Sequence, residues 1–373
     1  MDMHQHLPLL GGLSPQQFMR KHWQKKPLLV RQAIAGFKPL VDRAALFALA
    51  AQEQVESRLV VASSDGGWKL RHGPFPRRSL PALTRPCWTL LVQGLDLHAD
   101  AVHALLGRFR FVPDARLDDV MVSYASDGGG VGPHFDSYDV FLLQASGRRR
   151  WRIGRQRKLS LEPAAPLKIL RHFEYEQEFE LEPGDMLYLP PRYAHEGVAV
   201  GACMTYSIGF RAPARGELAA ELLQRLAQDA TEALGATMYR DAGQSASVCA
   251  AQIPTALSEF ASSALRSALH NPVLLDRALG EYLSEPKAQV CFESCRVPVR
   301  LHAVRLDRRT RMLYDASHVY INGESYCASG RDAALMRRLA DERALGADDV
   351  ARCSRQALGL LQDWCAAGWI GSD

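Results

Sequence analysis

From residue 57 to residue 213 the chain is written in short runs of alternating or β-branched residues, cut apart by Gly, Pro and Asp clusters. The runs fall at 58–62, 88–93, 120–124, 140–144, 150–153, 178–181, 186–189 and 204–210, with a helical stretch at 99–109 among them. None is stable alone, because an isolated hairpin is marginal in water, so the runs must share a core. The texture predicts an all-β barrel or sandwich.

The flanks read differently. Ser14-Pro15 gives a cap residue and a first-turn proline ahead of Phe18, His22 and Trp23 at helical spacing. Pro27-Leu28-Leu29-Val30 follows as an entry strand, and the alanine- and leucine-rich stretch 42–54 predicts a second helix. Beyond Pro213, Leu218, Leu222, Leu223 and Leu226 repeat at a helical period over 216–234. A second helical stretch covers 254–283, after a small-residue loop at 243–247. The end of the chain reads as strands at 297–301, 304–306, 312–314 and 319–321, then helices at 332–340 and 347–367, an order that suits a winged helix. A chain of 373 residues is too long for one ordinary domain. The expected division is 1–213, 214–290 and 291–373.

Charge narrows the partners. The net charge of +4, from 45 basic against 41 acidic residues, is too small to argue for nucleic acid. The tightest basic runs, Arg148-Arg149-Arg150 with Arg152 and Arg308-Arg309 with Arg311, are short and far apart, so no direct nucleic-acid binding is expected. Residues 1–12 lack a basic leader and no apolar stretch approaches a membrane span, so neither export signal nor membrane anchor is expected. Eight scattered cysteines suit reduced, cytoplasmic thiols. Cys291 and Cys295 lack the further ligands that a zinc site needs.

Chemistry concentrates in Gly128-Gly129-Gly130-Val131-Gly132-Pro133-His134-Phe135-Asp136. If the glycine loop runs into a strand, His134 and Asp136 share one face and aim an imidazole and a carboxylate at a common point. A third ligand must come from elsewhere. The Pro183-Gly184-Asp185 turn, the strand 186–189 and Pro190-Pro191 deliver His195. Two imidazoles and one carboxylate form the facial triad of iron(II) oxygenases, which leaves positions for a bidentate cosubstrate and O2. A turn at 145–147 is expected to return the chain and place Arg149 on the neighbouring strand, where a guanidinium would grip the far carboxylate of 2-oxoglutarate. Arg148 and Arg150 would then point the other way.

At these residues the sequence resembles the Jumonji-C ribosomal oxygenases. The likeness is carried by Gly-Pro-His134-Phe-Asp136-Ser-Tyr138-Asp139, by Gly147-Arg-Arg149-Arg-Trp151, by Pro-Gly-Asp185-Met-Leu-Tyr-Leu-Pro-Pro191 and by His195-Glu-Gly. The bacterial branch it resembles hydroxylates an arginine of large-subunit (50S) ribosomal protein sixteen. The resemblance implies an α+β multidomain chain: a Jumonji-C double-stranded β-helix, a helical dimerisation segment and a C-terminal winged helix. It implies Fe(2+) on His134, Asp136 and His195, and 2-oxoglutarate anchored by Arg149 with Ser123 helping. It also implies a homodimer with a ribosomal protein as substrate. Asp127, Tyr138 and Asp139 are candidates for meeting a cationic target by proximity alone. Three other readings stay open: a non-catalytic cupin-like regulator that reads DNA through the winged helix, an oxygenase acting on histidine, methyl-lysine or RNA, and a zinc or manganese isomerase or hydrolase.

Overall fold

The structure, a computed structural model, describes residues 2–63, 67–296, 298, 300–327 and 329–372. It divides into two units, 1–212 and 213–373.

The first unit contains α1 (Pro15–Lys21), β1 (Leu28–Val30), α2 (Arg43–Leu49), β2 (Ser57–Ala62), β3 (Trp68–His72), β4 (Trp88–Val92), α3 (Asp100–Gly107) and β5 (Leu117–Ala125). It continues through β6 (Val140–Gly154), β7 (Gln177–Leu181), β8 (Met186–Leu189) and β9 (Ala194–Phe210). Ser14 and Gln17 close a capping box that starts α1, and Asp42 accepts the Ala45 amide to start α2. The strands form one antiparallel sheet in the order β1-β8-β6-β9-β5-β4-β2-β3, with β7 also pairing β6. Strand β3 had no counterpart among the expected runs: three of the five residues of Trp-Lys-Leu-Arg-His are basic, and edge strands commonly carry charge.

Strand β6 corrects a second expectation. The chain does not return at 145–147; β6 runs through as one strand of 15 residues, pairing β9 on one side and β8, then β7, on the other. Its register against β9 shifts between Gln144 and Ser146 and again between Ser146 and Arg148, with Gly147 at φ +61. The bulge changes which residues face inward. Val140 and Leu142 pack in one cluster with Trp151 and Ile153, so even numbers face this core before the bulge and odd numbers after it. Phe141, Leu143 and Ala145 enter the larger core on the opposite face, with Phe18, Trp88 and Tyr188.

The second unit begins with α4 (Arg215–Leu234), α5 (Thr255–Leu269) and α6 (Pro272–Ser284). One helix was expected over 254–283, but Asn271 caps a new helix with Pro272 at its first turn. Then come β10 (Val304–Leu306), β11 (Met312–Tyr314), β12 (His318–Ile321), β13 (Glu324–Cys327), α7 (Gly330–Glu342), β14 (Ala344–Leu345), α8 (Ala347–Ala351), α9 (Arg355–Ala366) and β15 (Ile370–Ser372). Strands β11, β12 and β13 form one small sheet, and β14, β10 and β15 another. The helix expected at 347–367 is two helices, because Ser354 caps α9 on the Ala357 amide. Of the strand expected at 297–301, Val297 and Val299 lie outside the described residues, and Arg300 and Leu301 are not in a strand. Helix α6 meets β12 through Gly280, where an added methyl would lie 2.2 Å from the Tyr320 ring.

Candidate metal centre

Strand β9 brings His195 beside the segment that carries His134 and Asp136. No strand forms at 134–136; His134 makes a single antiparallel bridge, and its partner is His195. The His134 amide donates to the His195 carbonyl at 2.9 Å and the His195 amide to the His134 carbonyl at 2.8 Å. One backbone pair thus sets the two rings 4.2 Å apart between centroids. Asp136 approaches with Oδ2 at 3.6 Å from His195 Nε2, and the Arg192 amide donates to its carbonyl. One ligand atom from each of the three residues lies within 4.8 Å of the others.

The hydrogen bonds of the rings decide which nitrogens face the centre. His134 Nδ1 lies 2.9 Å from the Gly132 carbonyl oxygen and His195 Nδ1 2.9 Å from that of Tyr193. A carbonyl oxygen only accepts, so each neutral ring carries its proton on Nδ1 and keeps the Nε2 lone pair free. Burial, with His134 close by, drives the His195 imidazole down to about 4 despite the Asp136 carboxylate. The ring is therefore neutral near pH 7, the form in which imidazole binds a metal.

Arg149 projects inward from β6 just after the bulge and is only 4% exposed. Its neighbours Arg148 and Arg152 face out, paired with Glu180 and Glu178 on β7. Its Nη1 donates to Ser123 Oγ at 3.2 Å and Thr205 Oγ1 at 3.4 Å, and its Nη2 to the Gly197 carbonyl at 3.2 Å. Nε is buried without a partner, and no acidic side chain pairs with the guanidinium among the described residues. Enclosing a cation without an anion costs several kcal/mol, so a guanidinium placed this way suits a carboxylate ligand. Trp151 packs against both halves of the site, 5.1 Å from the Arg149 guanidinium and 6.0 Å from the His195 ring.

The structure thus brings together His134, Asp136 and His195, and sets Ser123 against Arg149. It does not support all three of the candidates chosen by proximity. Asp139 is fully buried, accepts from Tyr188 Oη at 2.6 Å and Gln24 Nε2 at 3.1 Å, and cannot meet a partner from outside. Asp127 is a turn residue whose carboxylate holds the Gly201 amide. Tyr138 remains exposed over 41% of its surface, and burial of its hydroxyl end with Asp136 and Asp119 nearby raises its phenol above the usual range. Sequence reading missed Thr205, which accepts from Arg149, and Gln144, which accepts from the Thr205 hydroxyl; both sit in ordinary strand patterns without a motif to mark them.

Residues 104–218 match the JmjC domain family and residues 265–371 the ROXA-like winged helix family. The chain is 41% identical over 225 residues to the ribosomal protein uL16 3-hydroxylase of Escherichia coli (strain K12), which covers 60% of this chain and 59% of that protein. It is 39% identical over 205 residues to a probable ribosomal oxygenase of Haemophilus influenzae, covering 54% of this chain and 50% of the relative. These alignments span roughly half the length of the curated relatives. Solved structures extend the likeness to nearly the whole chain. The crystal structure of E. coli ycfD superposes with a TM-score of 0.84 at 31% identity, over 96% of this chain and 98% of that one. The structure of the E. coli ribosomal oxygenase YcfD in complex with cobalt and 2-oxoglutarate superposes with a TM-score of 0.80 at 30% identity, over 95% and 97%. The chain belongs to the JmjC-domain ribosomal oxygenases, with a cupin-like antiparallel sheet and a C-terminal winged helix.

Proposed function

We propose that this chain is an iron(II)- and 2-oxoglutarate-dependent hydroxylase acting on the β-carbon of an arginine in ribosomal protein uL16 of the 50S subunit. The observation that carries the reading is the pairing of three converging donors with a buried guanidinium that has no acidic partner among the described residues. The relatives named above are the ground for the substrate.

Two imidazole nitrogens and one carboxylate oxygen fit iron(II), and His134, Asp136 and His195 would hold it. When bound, the metal supplies activation of O2, coupled to oxidation of 2-oxoglutarate to succinate and CO2, while the second oxygen atom enters the substrate C–H bond. The chain supplies position. The Gly132 and Tyr193 carbonyls fix the two rings, so neither has to reorient. Arg149 would take the far carboxylate of 2-oxoglutarate, with Ser123 holding the guanidinium in place. Trp151 and the surrounding Leu181, Leu187 and Leu189 keep that side dry, which strengthens the ion pair. A cationic side chain would find Tyr138 for its flat face, with Asp119 and Asp118 contributing to the charge around that ring.

We assign residues 1–213 to the oxygenase, 214–290 to dimerisation and 291–373 to the winged helix. In the helical segment Leu223, Leu265 and Val273 are each more than half exposed, which suits burial against a second copy. No helix of the described residues is long and apolar enough to cross a membrane, and we place the enzyme in the cytoplasm with its ribosomal substrate. DNA reading is disfavoured. On α7, Arg338 pairs with Glu342 and Asp349, while Arg337 donates to the Ala316 carbonyl, so neither is left free for a phosphate.

The test is incubation with iron(II), ascorbate, 2-oxoglutarate and a uL16 peptide, read by mass spectrometry as the gain of one oxygen. His134→Ala is expected to abolish the gain, and Arg149→Ala to reduce it with partial rescue by excess 2-oxoglutarate. No gain on that peptide or on ribosomal extract would remove the substrate assignment. A gain that survives His134→Ala would remove the metal site.

A further inference from the structure

The residue that decides how Arg149 presents itself lies one step further back, at Gln144. Gln144, Thr205 and Ser123 form a polar row across three adjacent strands: Gln144 on β6 is opposite Thr205 on β9, and Thr205 is opposite Ser123 on β5. All three are buried. The amide of Gln144 has no choice of orientation, because its Nε2 donates to the carbonyls of Ser146 and Gly147 in the β6 bulge at 2.9 and 3.3 Å. Its Oε1 therefore faces Thr205 Oγ1 at 3.0 Å and accepts that hydroxyl's only hydrogen. With its hydrogen committed, Thr205 can only offer a lone pair to Arg149 Nη1, 3.4 Å away. Ser123 is set the same way, since its hydroxyl lies 3.5 Å from the Thr205 carbonyl and its oxygen accepts from Arg149 at 3.2 Å.

We infer that Gln144 is a positioning residue that, through the Thr205 hydroxyl, fixes the Arg149 guanidinium for the distal carboxylate of the cosubstrate. This rests on the reading of Arg149 as the carboxylate anchor and adds what holds that anchor in place. The bulge is part of the device. It brings two backbone carbonyls within reach of Nε2 and also turns Arg149, an odd-numbered residue, onto the face of Gln144. A hydroxyl free to rotate could turn its hydrogen towards the guanidinium and repel it; one whose hydrogen is held by Gln144 always presents a lone pair to Nη1 and leaves the remaining N–H groups to the ligand.

The test uses the full chain loaded with manganese(II) without oxygen and measures binding by calorimetry. Two probes are compared: 2-oxoglutarate, and 2-oxobutyrate, which keeps the oxo-acid end but lacks the distal carboxylate. Thr205→Val and Gln144→Met are each expected to weaken 2-oxoglutarate about tenfold, the order of one hydrogen bond to a charged group. Binding of 2-oxobutyrate should stay within about twofold, as should 2-oxoglutarate in Thr205→Ser, which restores the hydroxyl. In turnover the same variants should raise the KM for 2-oxoglutarate and leave kcat nearly unchanged. Gln144→Met also removes the two bonds to the bulge, so if it does not fold, Thr205→Val decides. A Thr205→Val protein, or a folded Gln144→Met protein, that binds 2-oxoglutarate like the parent or loses both probes equally overturns the inference. Arg149→Met separates it from the reading beneath: if that variant keeps its preference for 2-oxoglutarate over 2-oxobutyrate, the anchor itself is misassigned.

Discussion

Gly197 offers a stringent check on the geometry around the guanidinium. It lies on β9 opposite Trp151, and its backbone is not in the left-handed region, so alanine is conformationally acceptable there. Space is the obstacle. An added methyl would stand 2.7 Å from two ring carbons of Trp151 and 2.8 Å from Arg149 Nε, distances at which something must move. Trp151 is buried against Val140, Leu142, Ile153 and Leu181 and cannot swing outward. Overpacking of this kind costs about 1–3 kcal/mol. In a unit of about 200 residues, at ~2–4 °C per kcal/mol, that amounts to a fall of about 5 °C in Tm. Displacement of Arg149 should also weaken 2-oxoglutarate by about tenfold or more, since bidentate contact tolerates little misalignment. Gly209→Ala on the same strand is the control, because its nearest neighbour would be Asp119 Oδ1 at an ordinary 3.7 Å. Thermal unfolding and calorimetric titration of both proteins give the answer. Equal effects at the two positions, or a Gly197→Ala protein that binds and melts like the parent, would refute the placement of Trp151 against Arg149.

Two other expectations follow from separate parts of the molecule. Burial opposes ionisation of Asp185, but the Gln32 amide, Arg31 and the Glu182 amide outweigh it and hold the carboxyl below its usual range. A lowered carboxyl contributes stability above its unfolded value, ~3.9, and loses it as pH falls through the folded value. The stability gap between the parent and Asp185→Asn in urea should therefore be present at pH 7 and shrink towards pH 3. Because Arg31 is half exposed, the gap at pH 7 should be only about 1–2 kcal/mol, and a gap independent of pH would count against the assignment. Leu265→Asp with Val273→Asp places charge on exposed apolar positions of α5 and α6. If these helices pair two copies as proposed, sedimentation should show a fall to the monomer mass with the far-ultraviolet circular dichroism unchanged, and an unaltered mass would exclude these helices from an interface.

The convergence of His134, Asp136 and His195 was legible in the sequence because its signals are local. A histidine and an aspartate two apart after a glycine loop share a face in any extended backbone, even though the segment proved to be a single bridge and not a strand. Arg149 was legible through alternation: of the two neighbours expected to face away, Arg148 is exposed and pairs with Glu180, and Arg150 is half-buried. The bulge was not, because Ala145-Ser146-Gly147 reads equally well as a turn, and only pairing with β9 on both sides distinguishes the two. Thr205 and Gln144 lie 61 positions apart and meet solely through strand register, which no motif records. The breaks at Asn271-Pro272 and Ser354 were written in cap residues but hidden inside apolar repeats that run across them.

Because Arg149 and His195 are carried by two neighbouring strands, β6 and β9, the interval between the guanidinium and the His195 ring is set by hydrogen-bond register and not by any mobile loop. In the function proposed above, the pair would work as a fixed gauge for the length of the oxo-diacid. A slip of one residue would move one jaw by about 3.4 Å, more than two carbon–carbon bonds, and turn its side chain to the opposite face. Shorter or longer homologues of the cosubstrate should thus be rejected by the sheet itself.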